Sequence, residues 1–262
     1  MRHIPTVIAT SYQKSLISGR TDPSVFICED ANGDSVGEYV VKFRSRMETG
    51  NAGLLREILG SLLASQLGLT VPEPAIVRIE AGLAEAMPVP SVADSVRNSV
   101  GLNFGSKNLF GGYHTWPKEK IIPASMKQSA TEIFVFDALI HNPDRTRERP
   151  NLFWKGNHFF IFDHDQAFSF LLAVPTIKVA WDLMEQPYLG DHVFFNDLRH
   201  TQLELDRMIG AVEAVTTGFW DEVKEVVPNE WRGTEFLRIQ NHIESVQQHL
   251  EDFIKDVRRL LE

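Results

Sequence analysis

The chain has 262 residues, 43% of them hydrophobic, with a formal net charge of −9 and a single cysteine. That acidic balance argues against direct nucleic-acid binding, which needs a basic, counterion-releasing surface. One cysteine excludes an internal disulfide framework, and no run approaches the ~20 apolar residues of a membrane span or the pattern of a secretory leader. A soluble cytoplasmic protein with no membrane partner is expected.

In chain order, the stretches 7–9, 25–29 and 38–43 are rich in β-formers and are separated by turn signals at 18–23 and 31–34, which predicts strands. Leucines and isoleucines at 54, 55, 58, 59, 62 and 63 then repeat at helical spacing, predicting a helix over 53–66 with Gly68 placed to end it. The run TVPEPAIVRIE returns to a strand. Residues 81–123, rich in Gly, Pro, Ser and Asn, read as an irregular hinge and connector. Beyond them helices are predicted over about 125–141, 201–226 and 234–261, interrupted by an aromatic hairpin whose turn is Lys155-Gly156-Asn157. The last helix carries an apolar stripe from Phe236 to Leu260. It suits packing across its own domain or a coiled-coil seam. The coarse result is a small β-rich front lobe, a linker and a larger helical back lobe.

Lys42 stands in EYVVKF among apolar strand neighbours, so it either snorkels from an edge or points into a cleft toward an anion. Fifteen residues on, Glu57 is a lone carboxylate among Gly53, Gly60, Ser61 and Ala64. A solvated helix face normally carries several long charged side chains. A strand lysine held by a helix glutamate is how kinases aim an ammonium at nucleotide phosphates. The turn at 18–23 could cover those phosphates, Gly19 allowing close approach and Ser18, Thr21 or Ser24 adding hydroxyls. Neither GxGxxG nor GxxxxGK[ST] is present, so a Rossmann site and a Walker loop both lack support.

The stretch HNPDRTRERPN is the candidate catalytic loop. Asp144 is suited to accept a substrate hydroxyl's proton, and Arg145 to hold that carboxylate or neutralise phosphate charge. Asn151 follows seven residues later, two more than in HRDxxxxN, the extra length carrying Arg147 and Arg149. The hairpin after Asn151 can return Asp163 to the same magnesium ion, which favours a few oxygen ligands plus phosphate. His164-Asp165 could instead belong to a metal phosphohydrolase with His114 or His141, but such sites are helical and this pair follows a strand. Asp137, inside an apolar helix, could tether the loop by accepting backbone hydrogen bonds, or face solvent.

These pieces resemble the HipA-like kinases, bacterial relatives of the toxin kinase HipA that share their core with phosphatidylinositol 3-/4-kinases. The matching stretches are VVKF, GLLREILGSLLASQLGLTVPEPAIV, GLNFGS, FDALIHNPDRTRERPN and IFDHDQAF. The resemblance implies an α+β, bilobal, protein-kinase-like fold: a nucleotide-covering N-lobe at 1–100 and a mainly helical C-lobe at 101–262 holding the catalytic loop and metal site. It also implies ATP- and Mg²⁺-dependent phosphoryl transfer to a protein serine or threonine, with Lys42 on the phosphates, Asp144 as base, Asn151 and Asp163 on the metal, and 101–106 (Asn103 and Phe104) near the adenine. A protein substrate and an antitoxin or regulator protein are the implied partners. Two departures stand out: the chain is shorter than full-length HipA, without the extra N-terminal region of such toxins, and the catalytic loop is longer. A small-molecule phosphotransferase and a catalytically silent binding module with the same fold are the competing readings.

Overall fold

The computed structural model describes residues 3–16, 21–172 and 179–262. Three antiparallel strands open the chain: β1 (Thr6–Ser15), β2 (Ser24–Glu29) and β3 (Ser35–Lys42). Their alternate residues, among them Val7, Ala9, Phe26, Cys28 and Val41, point into a common interior. Helix α1 (Asn51–Gln66) follows. It ends in a Schellman turn: Leu69 N donates to Ala64 O (2.9 Å) and Gly68 N to Ser65 O (3.1 Å), while Gly68 takes the left-handed φ of 78°. Next come β4 (Pro74–Ile79), α2 (Pro90–Arg97) and β5 (Gly101–Lys107).

The five strands close into a barrel in the order β1-β2-β3-β5-β4, sealed by parallel pairing of Thr6–Ile8 with Ile76–Arg78. β5 corrects the expectation of an irregular connector over 81–123. Its glycines weaken a strand signal, yet one of them is what the packing needs: a Cβ at Gly105 would lie 2.3 Å from Val77 Cγ2 on β4. The strand also carries the barrel beyond residue 100, where the sequence suggested a division.

Beyond the barrel lie β6 (His114–Thr115), α3 (Lys127–Leu139) and a hairpin of β7 (Leu152–Lys155) and β8 (His158–Ile161), with β6 paired to β7. Helices α4 (Phe195–Leu198), α5 (Asp206–Glu213), α6 (Thr217–Val226), α7 (Thr234–Gln248) and α8 (Leu250–Leu261) complete the chain. Two helices expected to be continuous are broken. Between α5 and α6, Gln247 Nε2 donates to the carbonyls of Val212 (2.7 Å) and Val215 (2.9 Å). The other break, at His249, stacks that imidazole on Trp181 at 3.5 Å. The apolar stripe Phe236, Ile239, Ile243, Val246, Leu250, Phe253 and Val257 is buried in the chain's own core, so no coiled-coil seam is offered.

Packing divides differently from sequence order. The barrel interior is one core, whereas Leu54, Leu55, Ile58, Leu59, Leu62 and Leu63 of α1 join the larger core built by α3, the hairpin and the C-terminal helices. With each fully buried leucine contributing about 1.5–3 kcal/mol, α1 ties the barrel, through Ile76 of β4 and Phe104 of β5, to the helical part. No helix among the described residues is long and apolar enough to cross a membrane.

Candidate active site

Strand alternation sets the first contact. Val41 and Phe43 point into the barrel, so Lys42 between them faces α1. Its ammonium donates a short hydrogen bond to Glu57 Oε1 and another, 2.5 Å long, to Asp163 Oδ1. Glu57 is 1% exposed and its second oxygen accepts from the His164 backbone N–H at 3.1 Å. One turn along α1, Gly60 is pressed against the His164 ring: a Cβ there would meet His164 Cβ at 2.5 Å. That absent side chain lets the 163–165 segment lie close enough for Glu57 to reach both partners.

The loop after α3 is fixed by a buried polar cluster around Asp137. Arg145 Nε donates to Asp137 Oδ2 (2.6 Å), Asn142 Nδ2 to Asp137 Oδ1 (2.8 Å), and His192 Nε2 lies 3.0 Å from Asp137 Oδ2. Arg145 Nη1 also donates to the carbonyls of Asn151 and Phe162, clamping the mouth of the β7–β8 hairpin. Asn151 and Asp163 flank that mouth, both in left-handed backbone conformations (φ 45° and 64°), as is His141 (φ 49°). Non-glycine residues adopt this region at a cost of about 1–3 kcal/mol each, and such strain collects at functional sites. Asn151 Nδ2 in turn donates to Asp144 Oδ2 at 3.0 Å, and Arg149 Nη1 is ion-paired with Asp144 Oδ1 at 3.0 Å.

The charges do not balance. Burial alone would push Lys42 down, but Asp163, Glu57 and Asp165 outweigh it and hold the ammonium above its ordinary value. Asp163 is raised by burial and lowered further by Lys42, leaving it below the usual carboxylate range. Asp165 is pushed up by burial and by its neighbours Asp163 and Asp144, against the pull of Lys42. Burial likewise raises Glu57, despite Lys42. Three carboxylates, with oxygens within 4.8 Å of one another, thus gather around the Lys42 ammonium, with the buried Arg56 guanidinium as a second cation acting on Asp165 and Glu57. Excess negative charge of this kind, made of hard oxygen donors, fits a divalent cation such as Mg²⁺.

The structure therefore brings Lys42, Glu57 and Asp163 into one contact chain and Asp144 and Asn151 into another, both ending at the hairpin mouth. Other expectations are corrected. Arg145, assigned to catalysis from the sequence, is 1% exposed and fully engaged in the Asp137 clamp. Asn103 is buried, its Oδ1 accepting from Arg44 N (2.8 Å) and its Nδ2 donating to Ser99 O (2.8 Å), so its amide fastens backbone rather than facing an adenine. Phe104 is the register partner of Lys42 across β3 and β5, with its ring buried in the larger core. Thr21 is buried beside Asp22, which pairs with Arg46; Ser18 and Gly19 lie outside the described residues.

The phosphohydrolase reading also fails on geometry. His114 is exposed on β6, His141 packs on His242 at 4.6 Å, and the acidic trio contains no histidine among the described residues. Asp137 does tether the loop, but through the side chains of Asn142 and Arg145 rather than backbone N–H groups. Asp165 was missed as a member of the acidic trio. Its two-residue spacing from Asp163 was a signal, but its closeness to Glu57 is tertiary.

A family model described as HipA-like kinase matches residues 10–257. The chain belongs to the HipA-like kinase family. Among solved structures it is similar to the Helicobacter pylori proinflammatory kinase CtkA, at 15% identity and a TM-score of 0.48, over 98% of this chain and 96% of that one. Comparison with curated protein sequences returns no match.

Proposed function

We propose that this HipA-like kinase transfers the γ-phosphoryl group of ATP, with Mg²⁺, to a serine or threonine hydroxyl of a protein, the barrel and the helical part acting as the two lobes. The observation that carries the reading is the buried Lys42 ammonium shared between Glu57 and Asp163, beside the Asp144–Asn151 pair. In this reading Lys42 donates hydrogen bonds to the nucleotide's phosphates, and Glu57 keeps the ammonium aimed at them. Asp144 orients the acceptor hydroxyl and takes its proton as the new O–P bond forms. Asn151 and Asp163, joined by Asp165, would hold the metal, which when bound offsets charge on the β- and γ-phosphates. The Asp137–Arg145–His192 cluster supports positioning, since it holds the base loop rigid in a dry interior. Cytoplasmic location and an antitoxin or regulator as partner belong to the same proposal through family membership.

The test is to incubate the protein with γ-labelled ATP, Mg²⁺ and host lysate, alongside Asp144→Ala. Label should reach protein with the parent chain and fall to background with the variant, which should still bind MgATP. Label on small molecules alone would move the acceptor class, and undiminished transfer by Asp144→Ala would remove that residue from the base role. Asp163→Asn should abolish the difference in ATP affinity between Mg²⁺ and chelator; a preserved difference would take Asp163 out of the metal site.

A further inference from the structure

Arg145 is not free to meet a phosphoryl group, yet the loop still presents a cation. The turn 146–149 is closed by Thr146 N donating to Arg149 O (2.9 Å) and Arg149 N to Thr146 Oγ1 (3.2 Å). Val193 N donates to Arg145 O (3.0 Å) and Thr146 pairs with His192, so the base of the turn is anchored. From it Arg149 reaches back to Asp144 Oδ1 at 3.0 Å, its side chain 52% exposed while that of Asp144 is 16% exposed. Arg147 turns the other way, toward Asp197 at 3.6 Å. Lys42 is held by two carboxylates.

We infer that Arg149 is a further catalytic residue, the cation that leaves Asp144 to hydrogen-bond the transferring phosphoryl group. This rests on the kinase reading above. In the resting chain Arg149 occupies the oxygen of Asp144 that an acceptor hydroxyl would need. With its side chain half in solvent, Arg149 is partly screened and can exchange this partner for another anion. As charge builds on the γ-phosphoryl group, the guanidinium swings from Asp144 to that group's non-bridging oxygens, and the acceptor hydroxyl takes the vacated place at Asp144. The acceptor's proton passes to Asp144, the O–P bond forms, and the bond from the γ-phosphorus to the bridging oxygen breaks to leave ADP. Arg149 makes and breaks no covalent bond; it donates N–H groups to charge that is greatest during transfer. The loop length that departs from HRDxxxxN thereby has a use: it lets the cation come from five residues after the base.

The experiment needs no knowledge of the acceptor. Affinity for MgADP is measured by calorimetry with and without aluminium fluoride, which mimics the phosphoryl group in transfer. The parent chain should bind the fluoroaluminate complex at least about tenfold more tightly than MgADP, the gain expected from a charged hydrogen bond. Arg149→Gln should keep its MgADP affinity and lose that gain, and Arg149→Lys should recover part of it. Arg149→Gln that retains the full gain, or that loses MgADP affinity to the same extent, overturns the inference and leaves the kinase reading intact. A parent chain that binds MgADP without any gain has the same effect, whereas one that binds no MgADP overturns the kinase reading and the inference with it.

Discussion

Replacing Gly60 by alanine tests how closely α1 must sit on the segment that carries Asp163. The added methyl would lie 2.5 Å from Cβ and 2.6 Å from Cγ of His164. Ordinary carbon contacts begin near 3.4 Å, so the two segments must part by roughly 1 Å. Trimming His164 to alanine offers no relief, because its Cβ is the nearest atom; the main chain itself has to move. Alanine in place of glycine favours a helix by about 1 kcal/mol, while overpacking costs about 1–3 kcal/mol. The net effect should be a loss of roughly 0–2 kcal/mol in a urea titration. Function should suffer more. Displacing Asp163 from Lys42 and Glu57 by about 1 Å should lower phosphoryl transfer at saturating MgATP on the order of 100-fold, with the protein still folded. A Gly60→Ala variant about 1 kcal/mol more stable than the parent, with undiminished turnover, would refute the reasoning.

Lys42→Met should lose about 3 kcal/mol of stability, since it leaves buried carboxylates without their cation, and Glu57→Gln should lose less, because Lys42 keeps Asp163. Because the two side chains touch, the double variant should lose less than the sum by at least about 1 kcal/mol; additive losses would mean that they are independent. Arg145→Lys should cost about 3 kcal/mol, an ammonium being unable to span Asp137 and the hairpin mouth together. A denaturation midpoint matching that of the parent would discard the clamp. Burial holds the His141 and His242 imidazoles down, to about 3 and about 4, with His242 lowering His141 further. Unfolded histidines take up protons near pH 6.5, so stability is full above that pH and falls as pH drops toward the folded-state values, by up to about 1.4 kcal/mol per pH unit for each. Urea midpoints recorded between pH 7.5 and 5 should therefore decline steeply, and a flat profile would contradict the burial argument.

Much of the local structure was legible because it depends on neighbours in sequence. The 3.6-residue repeat and Gly68 marked α1 and its end, and Lys155-Gly156-Asn157 marked the hairpin. The order of Lys42, Glu57, Asp144, Asn151 and Asp163 marked the candidate site. The failures share one cause. β5 reads as connector because Gly101 and Gly105 weaken any strand signal, and only its place between β3 and β4 makes it one. The two helix breaks are stabilised by Gln247 and Trp181, residues distant along the chain.

The same division separates the arginines. Sequence determined that a cation-rich loop would follow an aspartate, because residue type and spacing are all that such a loop requires. Which arginine is spent on the buried Asp137 and which faces the carboxylate of Asp144 was decided only by the fold. That choice turns on desolvation: a guanidinium in a dry interior must have its N–H groups satisfied by oxygens that tertiary contacts bring together. Arg145 found them at the hairpin mouth, and Arg149 was left at the surface.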